Sequence, residues 1–139
     1  MEHTKTFEEL LRSLHFRVTP GRIKILEVLT KEQKPITVVR LFELMGKSLD
    51  TVTLYRALEA FAEKGIVRRV DLGHSHAHYE LAVTRKHHHH LVCTNCERVE
   101  DVMSCPPAAI EKEILAESKY FKNINTHALE FFGLCKTCV

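Results

Sequence analysis

The sequence predicts an α+β fold, with helices in the front half and short strands with one helix in the back half. Apolar residues recur at helical spacing through residues 7–61, which is typical of amphipathic helices. After residue 65 the apolar residues instead occur in short runs separated by turn residues, and this pattern indicates strands. All five cysteines and eight of the ten histidines lie in the second half. These observations indicate two small domains with different chemistry.

Four helices are predicted in the front half, because each has an apolar stripe and three have a capping signal. Thr19 precedes a proline, which is typical of an N-cap followed by the first helical turn. Thr37 can cap the third helix and Asp50 or Ser48 the fourth, which should end at Gly65. The apolar stripes are Phe7, Leu10, Leu11 and Leu14; Ile23, Leu26 and Leu29; Val38, Leu41, Phe42 and Met45; and Val52, Leu54, Tyr55, Leu58 and Phe61.

Residues 66–72 and 76–81 are predicted to form the two strands of a hairpin around Gly73. Short helices followed by a hairpin are the order of a winged helix-turn-helix. We therefore predict a winged helix-turn-helix over residues 1–82 and a polar hinge over 83–87.

The back half, residues 88–139, is predicted to be an α/β domain that contains the metal-binding chemistry. Its predicted elements are strands over 89–92, 98–103 and 123–132 and a helix from Pro106 to about Lys119.

Four of the cysteines form two Cys-x-x-Cys pairs, Cys93 with Cys96 and Cys135 with Cys138. Both thiolates of such a pair can face one ion, and two pairs complete the four-sulfur shell of structural zinc. Two redox dithiols or four buried cysteines are the alternative. Cys105 is unpaired, and we interpret it as an idle thiol or a small apolar filler rather than a sensor.

Residues 87–90 are four consecutive histidines that lead into the first cysteine pair. In a strand, His88 and His90 would share one face, and His87 and His89 the other. One tract could thus supply two metal sites, and imidazole with carboxylate ligands suits zinc, iron(II), nickel or manganese. A solvated histidine-rich surface is the alternative. Nearby side chains that could join these sites are His76, His78, Glu80 and Asp101.

The charge and hydropathy patterns exclude a membrane-spanning helix and permit a nucleic-acid partner. Residues 1–72 hold 13 Lys and Arg against 10 Asp and Glu, a balance of +3, and residues 73–139 hold 7 against 8, a balance of −1. No apolar run approaches the roughly 20 residues that cross a bilayer. The N-terminus lacks the apolar stretch of a secretory signal, so we expect a cytoplasmic protein.

Several of these segments resemble the ferric uptake regulator (Fur) superfamily of bacterial metal-responsive regulators. Residues 17–29 resemble its early helix and residues 51–58 its recognition helix. Residues 79–81 and 87–96 resemble its hinge and metal core, and His127 with residues 131–135 resembles its closing strand. The resemblance covers residues 7–138.

The resemblance implies a metal-dependent repressor of metal-homeostasis genes, and not an enzyme. A homodimer, formed through the dimerisation domain of residues 88–139, would bind double-stranded DNA at an inverted-repeat operator. Structural zinc would be held by Cys93, Cys96, Cys135 and Cys138. A regulatory divalent metal would be held at the hinge by Glu80, His88, His90 and Asp101. A second site would use His87, His89, Glu111 and His127. DNA contacts would come from Thr51, Thr53, Tyr55 and Arg56, with phosphate contacts from Arg17 and Arg22.

One position departs from the family pattern. Iron- and peroxide-sensing members place a histidine before the third helix, where this chain has Pro35. We expect His78 to supply the missing ligand from the hinge, with His74 or His76 as weaker candidates, as in zinc- and nickel-sensing relatives. Zinc is therefore the first expectation for the regulatory metal. Iron, nickel, manganese or peroxide sensing stays open, and a zinc hydrolase or a metal-buffering protein is a remote alternative.

The first prediction concerns that hinge ligand. Replacing His78 with alanine should weaken regulatory metal binding without unfolding the protein, because one ligand is removed and no core residue changes. A competition titration against a metal chelator measures the affinity, and circular dichroism checks the fold. Wild-type metal affinity in the His78→Ala variant would count against the assignment.

Overall fold

The chain divides into two units, Met1–Arg85 and Lys86–Val139. The computed structural model describes residues 2–73, 75–83, 87–105 and 108–139, with side chains from residue 6 onward. Among the helices of these ranges, none has the length and apolar character needed to cross a membrane. Most of the predicted hinge, His74 and the two prolines that open the predicted back-half helix lie outside the described residues. The boundaries of the functional domains therefore stay a prediction.

The described residues of the first unit form four helices and a three-stranded sheet. They are α1 (Glu2–Ser13), α2 (Pro20–Glu32), β1 (Ile36–Thr37), α3 (Val38–Leu44), α4 (Thr51–Glu63), β2 (Val67–Val70) and β3 (His78–Leu81). The predicted apolar stripes supply its core, in which Leu11, Leu26 and Leu41 are fully buried. Val52 and Tyr55 are exceptions, since they lie exposed on the outer side of α4.

The three predicted helix caps are confirmed. Thr19, Thr37 and Asp50 each accept a hydrogen bond from the backbone N–H three residues later, at 3.2, 3.1 and 2.7 Å. At α4 this bond from Thr53 holds the pKa of the Asp50 carboxyl below its usual value. The helix ends just before Gly65, whose φ of 75° is the left-handed conformation typical of a helix C-terminus.

The sheet of this unit has the order β1-β3-β2, and all its pairings are antiparallel. The predicted hairpin is confirmed, although each strand is shorter than predicted. The strand β1 was not predicted, because two residues give no alternating pattern. Its Ile36 pairs with Tyr79, which is buried and donates a hydrogen bond to the Glu59 carboxylate on α4. Burial and this hydrogen bond raise the pKa of Tyr79.

The second unit contains β4 (His89–Cys93), β5 (Val99–Val102), α5 (Ala108–Glu117) and β6 (Glu130–Gly133). The sheet order is β5-β4-β6, so β4 is the central strand. It pairs antiparallel with β5 and parallel with β6, where His90 lies opposite Glu130. The parallel pairing places the end of the chain beside the histidine-rich strand.

The predicted final strand over residues 123–132 is wrong in extent, because only its last part is a strand. Local polar contacts compete with strand pairing in the preceding segment. The Ser118 hydroxyl accepts the backbone N–H of Phe121 at 3.0 Å, and the Asn123 amide donates to the side chain of Asn125 at 2.6 Å. These turns leave residues 118–129 without regular structure.

Much of the apolar surface of the second unit is exposed. No residue of α5, which is described over its whole length, is buried. Ile110 and Ile114 of this helix are about half exposed, as are Phe131 and Phe132 of β6. These apolar side chains of the second unit are accessible in the single chain.

The second prediction tests the core of the first unit. Leu41 is fully buried on α3, whereas Val39 on the same helix is 62% exposed. Leu41→Ala should lower the free energy of unfolding by about 2–5 kcal/mol, because it leaves a cavity. The matched truncation Val39→Ala should change it by less than about 0.5 kcal/mol. Urea denaturation followed by helical circular dichroism measures both values, and equal effects would contradict the described core.

Candidate metal centres and nucleic-acid interface

The two Cys-x-x-Cys pairs come together at one end of β4 and β6. The sulfur atoms of Cys93, Cys96, Cys135 and Cys138 all lie within 4.8 Å of one another. The Sγ atoms of Cys96 and Cys135 are 3.7 Å apart. That distance excludes a disulfide between them, and it matches the edge of about 3.8 Å that a tetrahedron with zinc–sulfur bonds of about 2.3 Å requires. The donor set and its spacing therefore fit a closed structural zinc site.

Backbone N–H groups stabilise the thiolate form of one cysteine in this cluster. The N–H groups of Cys96 and Cys135 donate to Cys93 Sγ at 3.5 and 3.4 Å. These hydrogen bonds lower the pKa of Cys93 to about 6, although burial opposes the effect. A deprotonated sulfur is the form that binds a metal ion. The local backbone thus favours the thiolate form of Cys93, which is the form that can bind a metal ion.

The alternation of β4 sorts the consecutive histidines into two pairs. The rings of His87 and His89 have centroids 4.7 Å apart, and those of His88 and His90 are 4.9 Å apart. All except His87 are buried. Burial, followed by the nearby His87, lowers the pKa of His89 and so favours the neutral imidazole.

One pair meets residues from the end of the chain and from the loop before α5. The Nε2 atoms of His87 and His89 lie 3.2 and 3.3 Å from Nε2 of His127, and Cys105 Sγ lies 3.2 Å from the same atom. Glu111 contacts the opposite edge of the His127 ring, with Oε1 3.2 Å from Nδ1. The structure thus brings together three of the four residues predicted for the second site, His87, His89 and His127, and places Glu111 against the outer edge of the His127 ring. It adds Cys105, which the sequence did not single out as a ligand.

In the other pair, His88 with His90, the His90 ring has two carboxylates beside it within the second unit. His90 Nδ1 donates to Glu130 Oε2 at 2.7 Å, and its Nε2 lies 3.8 Å from Asp101 Oδ1. Glu130 also accepts the backbone N–H of His90 at 3.1 Å. Such a partner fixes the orientation and tautomer of an imidazole that binds a metal. Sequence reasoning missed Glu130, and the signal for it would have been the β4–β6 register.

The remaining predicted hinge ligands lie on β3 in the first unit. Glu80 is buried and forms an ion pair with Arg68 across the β2–β3 ladder. His78 is partly buried, and its Nδ1 lies 3.1 Å from the carbonyl oxygen of His76. Because the two units are described separately, the assembly of the hinge site and the role of His78 stay predictions.

The candidate DNA-binding residues lie on exposed parts of the first unit. Thr51, Thr53, Tyr55 and Arg56 all face outward on α4. Tyr55 is 43% exposed, so it is not a core residue. An exposed polar helix after a short helix and turn is the arrangement with which helix-turn-helix proteins enter the major groove.

The two arginines before and in α2 lie close to this helix. Arg17, Arg22, Thr53 and Arg56 line one open groove of about 550 Å³. Arg22 donates to the carbonyl oxygen of Arg17 at 2.6 Å and packs over the ring of Phe16. These contacts hold the Arg22 guanidinium in place beside the helix.

A helix-turn-helix unit followed by a unit rich in thiol and imidazole donors defines a class of protein, the metal-responsive DNA-binding regulators. The sequence profile described as the Ferric uptake regulator family matches residues 13–132, so this chain belongs to that family. The resemblance seen in the sequence is thereby confirmed. Members of the family are transcription regulators that bind metal and DNA.

Individual relatives are similar over almost the whole chain. The ferric uptake regulation protein of Legionella pneumophila is 31% identical over 92% of this chain and 95% of its own length. The peroxide operon regulator of Bacillus subtilis is 29% identical over 94% and 89%. The crystal structure of the Vibrio cholerae ferric uptake regulator superposes with a TM-score of 0.73 at 30% identity, and covers 91% of this chain and 98% of that one.

The third prediction concerns the four-cysteine cluster. Cys93→Ser should remove about one tightly bound zinc ion per chain, because it replaces the sulfur that the backbone prepares as a thiolate. Metal analysis after dialysis against a chelator measures the content. Thr137→Ala, between the two cysteines of the second pair, should keep the ion. Retention of zinc by the Cys93→Ser variant would show that the cluster is not its site.

Proposed function

We propose that the chain is a zinc-responsive transcriptional repressor of metal-homeostasis genes, which binds double-stranded DNA as a homodimer in the cytoplasm. The observation that carries the choice of zinc is the donor chemistry of the second unit. One of its clusters has four thiols and the other has three imidazoles and one thiol, and such ligands suit zinc better than manganese or magnesium. The buried Pro35 supports this choice, since it offers no ligand where iron- and peroxide-sensing relatives have a histidine.

The regulatory response would come from the hinge. Its predicted ligands belong to both units, with Glu80 and His78 from β3 and His88, His90 and Asp101 from the second unit. Residues that share one ion restrict the relative motion of the segments that carry them. The ion must then bind the DNA-competent conformer more tightly than the other conformers. A shift from about 1:99 to 99:1 requires about 5.5 kcal/mol of differential affinity.

The DNA contacts would come from α4. Thr51, Thr53, Tyr55 and Arg56 would face the major groove, while Arg17 and Arg22 would meet phosphates at its edge. The groove that four of these residues line supports this arrangement, because it places three guanidinium groups on one side of the unit.

The homodimer would form through the second unit. The exposed apolar residues of α5 and β6 support it, because they would be covered by the same surface of a second copy. A two-fold dimer presents two copies of α4, and an inverted repeat offers each of them the same half-site.

Iron or peroxide sensing is the second candidate. The names of the relatives favour it, since the Legionella protein is a ferric uptake regulator and the Bacillus protein a peroxide operon regulator. The missing histidine at Pro35 counts against it. Zinc and iron(II) therefore have to be compared directly.

The fourth prediction is a DNA-binding titration on the region upstream of the protein's own gene. Protein that retains zinc in the four-cysteine cluster is titrated with zinc, iron(II), nickel and manganese, and each ion is buffered in turn. Zinc should strengthen DNA binding about 5- to 150-fold, the usual range of coupling between two sites. Equal binding with and without added ions would refute the sensor. A response to iron(II) alone would keep the regulator and overturn the choice of metal.

Two matched variants separate DNA contact from metal binding. Arg56→Ala should weaken DNA binding by about 1–3 kcal/mol and leave the metal affinity unchanged, because Arg56 is an exposed residue of α4 and is not one of the predicted metal ligands. Lys64→Ala, at the end of the same helix, should change neither quantity. Equal losses of DNA binding in both variants would indicate only a general charge effect.

A further inference from the structure

The second metal site has more donors than the family resemblance assigns to it. Ligand atoms of His87, His89, His127 and Cys105 all lie within 4.8 Å of one another. All four residues belong to the second unit. The resemblance names Glu111 as the fourth ligand, and it gives Cys105 no role.

The three imidazole nitrogens already have the spacing of a coordination shell. Their Nε2 atoms are separated by 3.1, 3.2 and 3.3 Å. A tetrahedral ion with metal–nitrogen bonds of about 2.0–2.1 Å requires an edge of about 3.3–3.4 Å. Three imidazoles at this distance can therefore accept one ion with little rearrangement, each through the lone pair of its Nε2 atom.

The outer nitrogens of two of these rings have partners that fix the tautomer. His89 Nδ1 lies 3.1 Å from the carbonyl oxygen of Leu129, which can only accept a hydrogen bond. His127 Nδ1 lies 3.2 Å from the Glu111 carboxylate. With the proton on Nδ1, each ring keeps the lone pair of Nε2 for the cluster. A carboxylate or carbonyl behind a metal-binding histidine is a common supporting arrangement.

Glu111 therefore lies on the far side of the His127 ring from the cluster. The two nitrogens of an imidazole point away from each other, so an oxygen bound to Nδ1 does not reach an ion bound to Nε2. Cys105 Sγ lies on the near side, 3.2 Å from His127 Nε2. The thiol thus occupies the position of the fourth donor.

We propose that Cys105 is the fourth ligand of a tetrahedral three-histidine, one-cysteine metal site, and that Glu111 supports the site from outside by holding His127. The metal-binding role of the second unit rests on the proposed function, but the ligand assignment does not depend on DNA binding. Binding replaces the thiol S–H bond with a metal–sulfur bond and releases one proton to solvent. A thiolate ligand selects zinc or cobalt over manganese.

Cobalt(II) provides a direct test, because a thiolate bound to it gives a charge-transfer band in the near ultraviolet. Cobalt(II) is added to the full-length protein that retains its four-cysteine zinc, as verified by zinc analysis before and after. The predicted hinge ligands include no cysteine, so a sulfur band under these conditions reports Cys105. Wild-type protein should show the band at about one cobalt per chain, and manganese(II) should compete poorly.

A pair of variants distinguishes the two candidate ligands. Cys105→Ser should lose the band, and Glu111→Gln should keep it while cobalt affinity falls about 10- to 100-fold, as for other supporting residues. Loss of cobalt binding in Glu111→Gln together with unchanged spectra in Cys105→Ser would overturn the proposal. Alkylation of the wild-type protein gives a second measurement, since zinc should protect Cys105 from iodoacetamide. Equal labelling with and without zinc would also contradict it.

The test of Cys105 can succeed or fail independently of the proposed function. A zinc-insensitive protein on DNA with a Cys105-dependent cobalt band would overturn the proposed function and leave this site. A repressor that responds to zinc but lacks the cobalt band would overturn this site and leave the proposed function.

Discussion

The parallel pairing of β4 with β6 is the contact on which the second unit depends. It joins residues 40 positions apart, with His90 opposite Glu130, and the sulfur cluster lies where the two strands end. Among the described apolar side chains of this unit, only Val92 and Cys93 are buried. So small a core cannot hold two distant segments together by burial alone. Four sulfurs on one ion would supply the missing cross-link.

The same pairing determines which partners each histidine meets. Side chains along this strand alternate, so the rings of His87 and His89 meet His127 and Cys105, while His90 on the other face meets Glu130 and Asp101. A shift of one residue in the register would exchange the two sets of partners. The short strand therefore serves two donor clusters, and both depend on one register that the cysteines help to fix.

Local signals in the sequence predicted the helix caps, the hairpin of β2 and β3 and the cysteine pairs, because each needs only neighbouring residues. The alternation along residues 87–90 likewise predicted how their rings are sorted. Contacts between distant segments could not be predicted in this way. The pairing of β6 with β4, the role of Glu130 behind His90 and the approach of Cys105 to His127 all depend on a long connection with polar turns. Two-residue strands such as β1 carry too little pattern to be recognised.

Hydrogen exchange of the backbone amides tests the dependence on the sulfur cluster most directly. Protein with zinc in the four-cysteine cluster is compared with protein from which zinc has been removed under reducing conditions. Mass spectrometry measures the exchange in peptides that cover β4 and β6. Protection of both strands should be lost together on removal of zinc, while α2 and α4 of the first unit stay protected. Full protection of β6 in the zinc-free protein would contradict the account.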